Sequence, residues 1–151
     1  MTSTLNILAN NYINGKHCIT TFKEESFLKA WILGQYQSLP VDVVVTCDDV
    51  SPEQMLSHYQ EHNELLISSA GSEHPILSQA DNVRFRAVHD WHHISQGFGF
   101  DLDGEIAAAR YAISLAPKAI HWMLWSEIAL QAAACIKTGE FQPQKLVHCY
   151  L

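Results

Sequence analysis

Residues 118–138, KAIHWMLWSEIALQAAACIKT, decide the architecture. From Trp122 to Ile136 the polar side chains are Ser126, Glu127 and Gln131 alone. A helix that is apolar almost all round is a buried one. Pro117 opens this segment, and Gly139 supplies the left-handed position that ends it. Working backwards, Asp103 is an N-cap for a helix over about 104–116, and Asp81 for one over about 81–95, with Gly97 and Gly99 breaking the chain between them. The alanines at 107–109, 112 and 132–134 let these helices approach closely.

The first half reads differently. Leu5, Ile7 and Leu8 precede Asn14-Gly15, and His17 to Thr20 follow it, which predicts a β-hairpin over 4–21 with a type I′ turn. Phe27, Ala30, Trp31 and Leu33 predict a helix over 23–37, with Gly34 and Pro40 as its stop. The β-branched run 41–46 predicts a strand. Ser51-Pro52-Glu53 starts a further helix that carries Met55, Leu56, Tyr59 and Leu66 inward, and residues 68–80 form a loop. The expectation is a single α+β domain over 1–151: a small N-terminal β-hairpin and strand element with helices (1–67), then a three-helix C-terminal half (81–140).

Composition narrows the function. Nine Lys+Arg against sixteen Asp+Glu give a net charge of −7, and the basic residues do not cluster, which argues against binding nucleic acid. The four cysteines, Cys18, Cys47, Cys135 and Cys149, form no CxxC pair, so neither a zinc ribbon nor a disulfide scaffold is expected. No signal peptide is apparent, and Trp122–Ile136 falls short of the roughly 20 apolar residues that span a bilayer. A cytoplasmic protein without membrane contact is the expectation. There is no nucleophile elbow and no phosphate-cradling or dinucleotide-binding glycine loop, so no nucleotide cofactor is expected.

One constellation carries chemistry. His89 and His93 lie one turn apart on the 81–95 helix, within about 40° of each other in projection. Arg86 and Asp90 extend that stripe, while Val83, Ala87, Val88, Trp91 and Ile94 take the other side. Two imidazoles at this spacing are a metal-ligand arrangement. Nine histidines in the chain also make a chance pair, and a solvated polar stripe, a ready alternative. Glu127 on the buried third helix needs a partner, because burying a lone carboxylate costs several kcal/mol. That partner is either an arginine (Arg86 or Arg110) or a metal shared with His89 and His93. Glu105 faces the positive end of its helix or enters the same pocket as a second carboxylate. His58 and His62 sit among acids and read as solvated. His74 lies in the loop, where it could cover the pocket, and His148 and Cys149 lie in a terminal tail.

Residues 73–140 carry H-P, F-R-A-V-H-D, a further histidine, G-F, G-E and E-x-x-x-Q. In this they resemble an uncharacterised domain of tailed phages and conjugative elements. The matching positions are His74, Arg86, His89, Asp90, His93, Glu105, Glu127 and Gln131. In that pattern the second histidine often stands one residue further on, so His92 or His93 is its counterpart. The resemblance implies a phage-linked origin and a polar cluster, and no particular reaction.

The leading expectation is a metal-dependent hydrolase acting in the host cytoplasm. His89, His93 and Glu127 or Glu105 would hold a divalent transition metal (Zn, Mn or Fe). Asp90 or the other carboxylate would orient a water, and Arg86 would hold a small anionic substrate. The alternative is an anti-defence accessory protein that binds a host protein, with the His/Glu cluster purely structural. A phosphohydrolase built on the His89-Asp90 dyad ranks below both, because it lacks convincing partners for the dyad. The C-terminal tryptophans and alanines permit a homo-oligomer.

Overall fold

The structure, a computed structural model, describes residues 3–149. It is α+β, with the predicted helices in the C-terminal half, and it divides into two compact units. One holds the chain up to Phe27 and from Phe98 onward, and the other runs from Leu28 to Gly97. The His-bearing helix belongs with the strands, and the later helices belong with the N-terminus.

The predicted hairpin is a helix, α1 (Thr4–Asn14). Leu5, Leu8, Ala9 and Tyr12 follow i, i+3, i+4, i+7 spacing, and the last three are buried. Ser3 caps it by accepting from the Asn6 amide. Gly15 has φ −72° and ψ 144°, so Asn14-Gly15 makes no type I′ turn and only ends the helix. Helical periodicity prevailed over a two-residue turn signal. α2 (Phe22–Gln37) starts from a capping box, because Thr21 and Glu24 each accept from the other's amide. It continues through Gly34, which does not stop it.

In the unit from Leu28 to Gly97, β1 (Asp42–Thr46) pairs in parallel with β2 (Glu64–Ser68), in the register Asp42 to Glu64 through Thr46 to Ser68. α3 (Pro52–His62) links them. It starts at Ser51-Pro52 as the sequence predicts, Ser51 also closes a capping box with Gln54, and Met55 is buried. Leu66 is a β2 residue, however, because Asn63 at φ 54° turns the chain out of the helix before it. α3 and α4 (Gln79–Gln96) pack on β2. Ser78, rather than Asp81, caps α4. Its hydroxyl accepts from the Asp81 amide, and Asp81 pairs instead with Arg84 at 3.0 Å.

In the other unit, α5 (Leu102–Ser114) is capped by Asp101 rather than Asp103. Pro117 then leads into one unbroken spiral. This comprises a 3-10 turn (Lys118–Ile120), α6 (His121–Trp125), a π-helical turn (Ser126–Leu130) and α7 (Gln131–Thr138), closed by Gly139 at φ 77°. The spiral packs on α5, and its later part packs on α1. At 21 residues, Lys118–Thr138 is long and apolar enough to cross a bilayer, which exceeds the sequence expectation. Its most apolar window is 61% buried inside the protein, which makes it a core helix.

The C-terminal segment is a strap, not a frayed tail. Leu146 and Val147 are buried. Val147 donates its amide to Ser126 Oγ at 2.8 Å, and Leu146 donates to His17 Nδ1 while accepting from the Cys18 amide. His148 stacks near Trp122, and Cys149 Sγ accepts from Asn11.

Candidate metal centre

α4 presents His89 and His93 side by side. Their Nε2 atoms are 3.2 Å apart and their rings stand at 86°. Nothing in the backbone forces this, since the i,i+4 spacing only sets the two Cβ atoms on one face. The rings turn their Nε2 edges toward one point. His93 is 2% exposed, and its carbonyl closes the helix by accepting from the Gly97 amide.

His92 is buried too, at 4% exposure. Burial pushes its imidazole down to about 4, and the positive charge that His89 and His93 can carry adds to the effect. Three imidazoles therefore share this stretch of α4, and the middle one is neutral at pH 7. Burial also wraps further round the helix than the predicted apolar face. Asn82, Phe85, Ala87, Val88, His92 and His93 are covered, whereas Val83, Trp91 and Ile94 are half-buried. Asn82 donates to the Ser72 carbonyl, which anchors the preceding loop.

Arg86 has a definite occupation. Its Nη1 donates to the Ser68 and Ala70 carbonyls at 2.8 and 2.7 Å, and its Nη2 donates to Gly71 at 2.7 Å. The guanidinium thus clamps the chain as it leaves β2. His74 caps its own turn rather than covering a pocket. Its Nδ1 accepts from the Ile76 and Leu77 amides, which places the proton on Nε2. His58 stacks near His62 and meets Glu64 at 3.3 Å, at the side of an open cleft of about 350 Å³ that includes Asp48, Asp49 and Glu61. Asp90 is half-buried on α4.

The carboxylates Glu105 and Glu127 belong to the other unit. Glu105 is in the first turn of α5, where it favourably meets the helix dipole. Its charge, after burial, helps to raise the Cys135 thiol. Glu127 is half-buried, not fully buried, and lies in the π-helical turn. Such turns recur at functional positions because they displace a side chain from the regular helical row. No sequence pattern signalled this one. Glu127 acts electrostatically on Tyr12, a residue that the hairpin reading left unnoticed. Tyr12 is fully buried, donates to the Pro143 carbonyl and accepts from the Lys145 amide. Burial, together with the Glu127 charge, pushes its hydroxyl up to about 12.

No protein-family model, curated protein or solved structure matches this chain.

Proposed function

We propose that this chain is a metal-dependent hydrolase in which His89 and His93 ligate a divalent transition metal and a carboxylate completes the donor set. The observation that carries this reading is the 3.2 Å separation of the two Nε2 atoms. Two imidazoles at about 2.0–2.1 Å on a tetrahedral ion stand about 3.3–3.4 Å apart, so the pair already has the edge of a coordination shell. His89 and His93 are donors of a type that could hold a metal ion.

Two imidazoles and one carboxylate leave a fourth position for water, the donor set of hydrolytic rather than structural sites. A metal held there would supply Lewis acidity. Asp90 and Glu127 are the remaining carboxylates of the predicted cluster, suited to orienting a water or accepting its proton. Arg86, with both terminal nitrogens committed to carbonyls, fits a positioning role better than contact with an anionic substrate.

The test is elemental analysis of untagged protein, because nine native histidines make an affinity tag a confounder. The expected result is about one transition-metal ion per chain, lost in His89→Ala and His93→Ala. A wild-type protein that holds no metal, and whose melting point ignores added Zn, Mn and Fe, would overturn it. The imidazole pair would then be a plain hydrogen bond of a structural network.

A further inference from the structure

We infer that β1 is an interface strand, and that two copies of this chain pair β1 antiparallel to β1 across a twofold axis. This inference is independent of the metal reading.

α3 and α4 pack on β2, which leaves β1 on the outside of its two-stranded sheet. Among the described residues, the backbone-to-backbone hydrogen bonds of β1 run to β2 and to Ser69, whose amide donates to the Thr46 carbonyl at 2.8 Å. Among the described residues, its other edge has no backbone partner. Val44 and Val45 are 38% and 53% exposed, a costly placement for two of the strongest strand formers. Two-stranded parallel sheets are also rarely left open, since parallel strands are normally covered.

Natural edge strands are defended by lysine, proline, a bulge or an inward-pointing charge. The strand DVVVT has none of these between its ends, and Pro40 stands before it begins. The same five residues are self-complementary. A twofold axis through Val44 sets Val44 against its own copy, Val43 against the copy's Val45, and Asp42 against the copy's Thr46. All three valines meet valines. The one charge meets a hydroxyl and not a second carboxylate, which matters for a chain of net charge −7. A register slip of one residue would lose this match. The assembled sheet would have four strands in the order β2, β1, β1, β2, with both β1 edges paired.

The experiment is sedimentation equilibrium of the full-length chain at micromolar concentrations. Wild type is expected to be a dimer. Val44→Lys, which sets two ammonium groups face to face on the axis, is expected to raise the dimer dissociation constant at least about tenfold with unchanged circular dichroism. A monomeric wild type, or a dimer that Val44→Lys leaves intact, overturns the inference. If the lysine variant fails to fold, Val44→Cys in a Cys47→Ser background decides it. Mild oxidation should give a disulfide-linked dimer absent from the Cys47→Ser parent, and failure to crosslink also overturns the inference.

Discussion

The carbonyl of Gly99 lies directly against the Cα of Gly104, so that any Cβ at position 104 would overlap it. This contact folds the 99–104 turn tightly onto the start of α5, where Asp101 caps the Gly104 amide at 2.9 Å and Glu105 follows. Gly104→Ala must therefore push the turn and the helix start apart. The expected cost is about 1–3 kcal/mol, the usual range for overpacking at a rigid site. Gly34→Ala is the contrasting control. Position 34 is inside α2 with open space around its Cα, so alanine should stabilise by roughly 0.5–1 kcal/mol. Urea midpoints of the two variants check both signs. A stabilised Gly104→Ala would mean that the turn is looser than the contact implies.

Tyr12 ties the C-terminal strap to α1 through the Pro143 carbonyl and the Lys145 amide. Its hydroxyl titrates near 12 in the fold and near 10 when unfolded. The neutral phenol is thus favoured by folding, and its contribution is complete below pH 10. It disappears as pH rises from 10 to 12. Denaturation midpoints should fall across that window, and Tyr12→Phe should flatten the fall while costing about 1 kcal/mol at pH 7 through the loss of two part-buried hydrogen bonds. An equally steep alkaline limb in Tyr12→Phe would assign the titration to another group.

The acid limb has the opposite origin. His92 falls from 6.5 unfolded to about 4 in the fold, chiefly through burial. A base with a depressed value stabilises the fold above its unfolded value and loses that contribution as pH drops from 6.5 toward 4. The loss is on the order of 3 kcal/mol if His92 acts alone. Metal-free protein in chelator should show this decline, and His92→Gln should remove most of it. A flat profile between pH 6.5 and 4 would show that His92 is protonated without strain.

Much of this was legible in the residues, and the failures have identifiable causes. Ser51-Pro52-Glu53, Gly139 and the Trp122–Ile136 run each carry their own local physics, and each forms the element it implies. Ser3 and the spacing from Leu5 to Tyr12 carry an equally clear helix signal, whereas Asn14-Gly15 makes a hairpin only where two strands flank it to pair, and here a helix precedes it. Ser78 and Asp101 took caps expected of Asp81 and Asp103, each within three residues, which is the normal slack at helix ends. The His89–His93 pair was visible from spacing alone. The burial of His92, the π-helical turn under Glu127 and the anchoring of residues 143–148 were not, because all three depend on contacts between distant segments.

Arg86 supplies the sharpest remaining test, since two uses of one guanidinium compete. Its three short hydrogen bonds to Ser68, Ala70 and Gly71 fix the chain beyond β2 in a planar fork that lysine cannot reproduce. Arg86→Lys keeps the charge and loses the fork. It should cost about 1–3 kcal/mol and leave carbonyls near β2 under-satisfied. The loosening should be local, so amide hydrogen exchange should accelerate at Ser69 and Ala70, whose amides donate to the Thr46 carbonyl and the Ser68 hydroxyl. A site that uses Arg86 to grip an anionic substrate predicts the reverse: unchanged exchange and stability, with weaker substrate binding as the sole defect. Exchange rates at those two amides, measured beside the urea midpoint, separate the two outcomes without knowledge of the substrate.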